Sequence, residues 1–160
     1  MIVVVMGVSG CGKTTVGKRL ATQLGWPFFD ADDFHPTGNV AKMAAGIPLT
    51  DDDRWPWLDR LSAMLREIAT RGESAVLACS ALRQAHRDRL KRAGDLRFVH
   101  LVGDRATIAA RIAERAHRYM PASLLDSQFA ALEAPKDAID IDIRHPVEEL
   151  VATIRVRLQV

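Results

Sequence analysis

Apolar residues fall along the chain in two alternating patterns. Ile2-Val3-Val4-Val5-Met6 is an unbroken, largely β-branched run, as expected of a strand buried on both faces of a parallel sheet. From Lys13 to Leu24 the apolar positions Val16, Leu20, Ala21 and Leu24 return at helical spacing, and Gly25 stands where a glycine ends a helix. The same alternation predicts strands over Trp26–Asp30, Ala75–Cys79, Leu96–Val102 and Ile139–Ile143. Helices are expected over Gln84–Arg92, Arg105–Ala116 and Val147–Leu158, each following a strand. With no hairpin signal between them, the strands imply right-handed crossovers and an α/β fold of three layers, a five-stranded parallel sheet with helices on both faces.

Two stretches exceed simple crossovers. Residues 31–73 are longer than one helix needs, and residues 114–126 are rich in Arg and His. Both are expected as inserts within one domain spanning residues 1–160, the first a helical substrate-binding insert and the second an Arg-rich lid. A length of 160 residues, 48% hydrophobic and 26% charged, fits a single globular domain and excludes disorder and collagen. The balance of 22 Lys+Arg against 20 Asp+Glu leaves +2, too little to neutralise a run of nucleic-acid phosphates. Cys11 and Cys79 belong to no C-x-x-C pair, so neither a disulfide framework nor a zinc site is signalled, which suits a reducing cytoplasm. The apolar opening is shorter than a membrane span and runs into glycines rather than a cleavage site, so no membrane attachment is expected.

Chemistry enters after the first strand. Gly7-Val8-Ser9-Gly10-Cys11-Gly12-Lys13-Thr14 matches G-x-x-x-x-G-K-[ST] between a strand and a helix, the context that a P-loop requires. Glycines let successive N–H groups converge on phosphate oxygens, Lys13 reaches the β- and γ-phosphates, and Thr14 offers its hydroxyl to Mg2+. Gly7, Ser9, Gly10, Cys11, Gly12, Lys13, Thr14 and Thr15 are therefore the candidate nucleotide-binding residues, with Cys11 read as a small residue filling the loop. A guanine-specific switch would carry N-K-x-D, whereas the only asparagine, Asn39, precedes Val40. Motor ATPases need an acid at the end of a core strand, yet the third strand ends Ala78-Cys79-Ser80.

The needed acid can come from Phe28-Phe29-Asp30-Ala31-Asp32-Asp33-Phe34-His35-Pro36, at the C-terminal end of the second strand, where open parallel sheets bind ligands. In phosphoryl transfer to an alcohol, one carboxylate orients the hydroxyl and accepts its proton, and another holds magnesium. Alternation in an extended segment puts Asp30 and Asp32 on one side, so they can share those jobs; Asp32 is taken as the proton acceptor and Asp30, with Thr14, as the metal side. Pro56 fits only a first helical turn, which places the cap of the next helix near Asp53 and leaves Asp51, Asp52 and Arg54 in or beside the loop. Trp55 and Trp57 read as packing residues. Arg83 can grip a carboxylate with its planar fork, while Arg87 and Arg89 can belong to a solvated helix face. Arg111 and Arg115 lie four apart on one helix face and suit a triphosphate, with Arg115 acting on the transferring group when a lid closes.

Taken together, these residues resemble the gluconokinases, P-loop small-molecule kinases related to shikimate and nucleoside monophosphate kinases. The resemblance spans nearly the whole chain: Gly7 to Thr14, Asp30-Ala31-Asp32 with Phe34-His35-Pro36, Asn39 with Lys42-Met43, Gly46 with Pro48-Leu49-Thr50-Asp51, and Asp53-Arg54 with Pro56-Trp57-Leu58. Cys79 to Arg83 with Arg87-Asp88, Leu124-Leu125 with Ser127-Gln128-Phe129, and Asp142 with Pro146 continue it. The resemblance implies an ATP-dependent, Mg2+-requiring transferase that phosphorylates the terminal hydroxyl of D-gluconate to 6-phospho-D-gluconate in the cytoplasm, as a homodimer. Asp32, His35, Lys42, Arg54 and Arg83 are then the gluconate-side residues, joined by Asp51 and Gln128, and Arg144 to Pro146 border the adenine. Where the family lid commonly reads R-x-G-H-F, this chain reads Arg115-Ala116-His117-Arg118-Tyr119, so that either Arg118 adds a phosphate contact or His117 stands in for the displaced imidazole. A kinase for another sugar acid or a shikimate-like acceptor, and a non-catalytic ATP-binding regulatory module, are the alternatives.

Overall fold

The structure is a computed structural model that describes residues 1–114 and 124–160. The apolar run Ile2–Met6 forms the central strand, β1, with every residue buried. Parallel to it run β3 (Ala75–Ala78) on one side and β4 (Leu96–Val102) on the other. β2 (Phe28–Asp30) pairs outside β3 and β5 (Ile139–Asp142) outside β4, giving the order β2-β3-β1-β4-β5 among the described residues. Alternation along β1 divides the core. Val3 and Val5 pack with Val16, Leu20, Ile108, Val151 and Ile154, which come from α1 (Lys13–Leu24), α5 (Arg105–Glu114) and α7 (Val147–Leu158). Ile2, Val4 and Met6 pack with Leu58, Leu61, Leu65 and Leu90, from α3 (Asp51–Thr70) and α4 (Gln84–Leu90). The three-layer α/β architecture expected from the alternation is therefore present.

The second strand starts later than its apolar pattern suggests. Gly25, at φ 67°, ends α1, and Trp26 N–H bonds back to Ala21 O at 3.0 Å, so Trp26 closes the helix. Pro27 has no N–H for the ladder, although its carbonyl accepts from Val76 N at 3.0 Å. After Asp30 the chain enters a 3-10 turn, Ala31–Phe34, then α2 (Thr37–Ala44), then α3.

The start of α3 corrects the expected cap. Thr50, not Asp53, is the N-cap: its hydroxyl accepts from Asp53 N at 3.1 Å while the Asp53 carboxylate accepts from Thr50 N at 2.9 Å. This reciprocal box puts Asp51, Asp52 and Arg54 inside the helix and Pro56 beyond the first turn, at the loss of one ladder bond. The loss is local, because Trp57 is buried and its indole N–H donates to Ala31 O at 2.7 Å, fixing the helix to the turn after β2.

Arg87 is the second correction. The expected solvated cation is 1% exposed. Its guanidinium donates to the carbonyls of Ala81 (2.9 Å), Leu82 (3.0 Å) and Glu133 (2.9 Å) and to Gln84 Oε1 (3.0 Å). It thereby holds the β3–α4 loop, where Ala81 sits at φ +43°, a left-handed conformation that costs a residue with a Cβ about 1–2 kcal/mol. Arg89, by contrast, pairs at the surface with Asp59, its Nε 2.5 Å from Oδ1. Replacing Arg87 by Met keeps the stem and removes the donors. Because each stranded buried carbonyl costs about 1–3 kcal/mol, the variant is expected to lose roughly 3 kcal/mol or more in urea unfolding; a loss below about 1 kcal/mol contradicts the bracing role.

Candidate functional site

The loop between β1 and α1 is the most tightly specified part of the site. Gly7, Gly10 and Gly12 adopt φ of 146°, 81° and 99°, values that favour glycine. Space adds a second demand at Gly10, where a Cβ would lie 2.6 Å from Ile112 Cγ1. The turn passes into α1 with Gly12 as N-cap, no capping side chain and no acid in the first turn. Its first N–H groups and the positive end of the helix dipole therefore favour an anion there. Lys13 Nζ donates to Val8 O at 3.0 Å, across the same loop. Cys11 is buried beneath it, where it fills space, and burial pushes its thiol pKa up, away from the reactive thiolate.

Asp30 joins this loop to the acceptor side. One carboxylate oxygen, Oδ2, accepts from Thr14 Oγ1 at 2.9 Å; the other, Oδ1, accepts from Asp32 N at 3.0 Å and caps the 3-10 turn. Asp30 and Asp32 thus meet through a capped turn, which corrects the expectation of an extended segment. A hydroxyl beside a carboxylate suits Mg2+, which binds one or two protein oxygens and completes its shell with phosphate and water. Among the described residues no group of three or more His, Cys, Asp or Glu is placed to hold a metal by itself.

On the acceptor side His35 stacks on Trp57, centroids 4.0 Å apart at 17°. Its Nδ1 faces the Asn39 amide nitrogen at 3.3 Å, and Asn39 also donates to Asp53 O at 2.8 Å. Because the amide nitrogen is a donor, Nδ1 accepts and the proton sits on Nε2, 3.8 Å from Asp32 Oδ1. Burial, with Arg54 adding to it, lowers the His35 pKa to about 4, so the ring is neutral near pH 7. Arg54 is itself largely buried, its side chain 13% exposed, and donates to Leu49 O at 2.7 Å.

One cleft is lined by Ser9, Gly10, Gly12, Lys13, Thr14 and Thr15 of the loop together with Asp30, Asp32, His35, Arg54, Arg111 and Gln128. Arg111 Nη2 donates to Ile143 O at 2.8 Å. Gln128, from α6 (Leu125–Ala131), accepts from Ser9 N at 3.1 Å through its side-chain oxygen, which ties that helix to the phosphate loop. Other candidates lie outside the lining. Lys42 is bound to both Asp53 oxygens, at 3.0 and 2.9 Å, and holds the Asp53 carboxyl at about 2. Asp51 bonds His86 Nε2 at 2.9 Å and lies 3.9 Å from Arg83 Nε. Arg144 folds onto Asp142, lowering that carboxyl to about 2, and Pro146 caps α7. Arg115, His117 and Arg118 lie outside the described residues.

The sequence reading missed Trp57 as a cleft wall and His86 as a partner of Asp51. Both carry a local signal, since Trp57 is three residues beyond Arg54 and His86 three beyond Arg83, the spacing that brings side chains together at a helix start.

A family model described as an AAA domain matches residues 2–135. The gluconokinase of Gluconobacter oxydans (strain 621H) is 52% identical over 137 residues, covering 84% of this chain and 76% of that protein. The thermosensitive gluconokinase of Escherichia coli (strain K12) is 42% identical, covering 95% of this chain and 84% of that protein. The crystal structure of a gluconokinase from Sinorhizobium meliloti 1021 superposes with a TM-score of 0.82 at 41% identity, over 98% of this chain and 94% of that one. Identity at this level over nearly the whole chain, on a parallel sheet that ends in a phosphate loop, means that the chain belongs to the gluconokinase family.

Proposed function

We propose that the chain transfers the γ-phosphoryl group of ATP to the terminal hydroxyl of D-gluconate, giving 6-phospho-D-gluconate and ADP. The observation that carries this reading is a cleft in which a phosphate loop shares its lining with Asp32, His35 and Arg54. Lys13 and the first-turn N–H groups of α1 would hold the phosphates, and Arg111 adds a cation on the same wall. Asp32 orients the acceptor hydroxyl and takes its proton as the new O–P bond forms and the bond from the γ-phosphorus to the bridging oxygen of ADP breaks. Neutral His35 can donate from Nε2 to an acceptor oxygen, and with Nδ1 already accepting from Asn39 it leaves the hydroxyl proton to Asp32. Thr14 and Asp30 would hold Mg2+, which would neutralise part of the phosphate charge. Arg54, largely shielded from water, gives the acceptor's carboxylate a partner stronger than an exposed cation would be.

The direct test is coupled ADP release across sugar acids, shikimate and neutral polyols. Gluconate is expected to give the highest kcat/KM; clear turnover of another acid with none on gluconate contradicts the reading, and nucleotide binding with no acceptor-stimulated release reduces it to an ATP-binding module.

Asp32→Asn removes the proton acceptor and leaves the phosphate loop intact. Its kcat is expected to fall by about 10²- to 10⁴-fold with little change in ATP affinity. A larger loss for Asp30→Asn, relieved by added magnesium, would exchange the two roles.

His35 also predicts a pH dependence of stability. The unfolded ring titrates near 6.5 and the folded one near 4. Between these values the unfolded chain binds the extra proton, so the contribution is present above about 6.5 and lost as pH falls. Between pH 7 and pH 5 the parent is expected to lose about 2 kcal/mol more than His35→Gln in urea unfolding. Equal losses would mean that the ring is not buried as a neutral group.

A further inference from the structure

His86 has no place in the phosphate chemistry, yet it is 2% exposed and bonds to a backbone N–H and a carboxylate at the starts of two helices. Its Nδ1 accepts from Arg83 N at 3.3 Å, at the start of α4. That bond fixes the proton on Nε2, which donates to Asp51 Oδ1 at 2.9 Å across the gap to α3. The same Asp51 oxygen lies 3.7 Å from Arg54 Nη1 and 3.9 Å from Arg83 Nε. One carboxylate therefore stands between two guanidiniums that would otherwise repel each other. One negative charge against two positive ones leaves +1, the charge that a single acceptor carboxylate neutralises.

We infer that His86 is a positioning residue for recognition of the acceptor's carboxylate, holding Asp51 so that Asp51 keeps Arg54 and Arg83 together as one anion site. The inference deepens the functional reading above and rests on it, since it names how a sugar acid is told from an uncharged polyol. Asp51 on this account is an internal counter-ion and does not itself contact the ligand. The His86 hydrogen bond is also the first cause of the lowered Asp51 pKa, which keeps that carboxyl ionised. Burial lowers the pKa of His86 itself, favouring the neutral ring that donates from Nε2 alone.

A purely structural role would need only Nδ1, which closes the first turn of α4 against Arg83 N. His86→Asn separates the two roles, because a short amide can still accept from Arg83 N but cannot reach Asp51. His86→Gln keeps a donor of greater reach. Steady-state kinetics with gluconate and ATP are to be measured for both, with urea unfolding alongside and with D-glucitol, the uncharged analogue, as inhibitor. For His86→Asn the expected result is a KM for gluconate raised about tenfold, kcat and the KM for ATP within about twofold, and unchanged inhibition by D-glucitol. His86→Gln should recover much of the loss. An unchanged KM for gluconate in His86→Asn overturns the inference, as does a common fall in all parameters that tracks lost stability and is not recovered by Gln. Absence of gluconate turnover in the parent overturns the functional reading and the inference with it; normal parent kinetics with indifferent variants overturns the inference alone.

Discussion

Because all strands of the sheet run parallel, every one of them delivers its C-terminal end to the same edge. The rest of the structure depends on that constraint. β1 lies at the centre with β3 on one side and β4 on the other, so the chain leaving β1 emerges where neighbouring connections diverge and a crevice opens. The phosphate loop occupies that crevice. β2 then brings Asp30 to the same edge, and β3 brings the loop that carries Arg83. None of these groups is near another in sequence; parallel pairing alone makes them neighbours. Buried apolar residues on both faces hold the pairing, so the site's geometry is set by the core that lies beneath it.

Charge is distributed along the cleft in a way that follows from what each end must hold. The loop end offers N–H groups and Lys13, and the Asp30 carboxylate beside Thr14 supplies the oxygen ligands that a divalent ion prefers. The other end carries Arg54, and two acids of the helix turn that holds it are already matched. Asp53 is bound by Lys42 and Asp51 by His86, so neither presents a free negative charge to an anionic acceptor. Between the two ends Asp32 is 44% exposed, open to an incoming hydroxyl. A cation-rich end without these internal counter-ions would repel itself, and the same end with unmatched acids would repel its ligand.

Features written in contiguous residues were legible in the sequence. β1 follows from five adjacent apolar residues, and the loop from glycines at fixed spacing before a helical period. Boundaries set by competing local bonds were not. Pro56 pointed to a cap at Asp53, but the Thr50–Asp53 box outweighs the single ladder bond that the proline removes. Asp30 and Asp32 line one cleft, but not through the alternation of an extended segment: the Asp30 side chain caps the turn that follows the strand. Arg87 was the hardest case. Its partners are backbone carbonyls, one of them at Glu133, and a backbone acceptor leaves no trace in the identity of the residue that carries it.

The central claim is that the acceptor lies with its terminal hydroxyl toward Asp32 and the phosphate loop, and its carboxylate toward Arg54 and Arg83. A crystal structure with Mg2+, ADP, aluminium fluoride and D-gluconate tests it most directly. The account predicts the terminal hydroxyl oxygen within hydrogen-bond distance of Asp32 and in line with the phosphoryl mimic, and the carboxylate on the two guanidiniums. Gluconate bound the other way round, with its carboxylate against the phosphate loop, or bound outside the cleft, would contradict it.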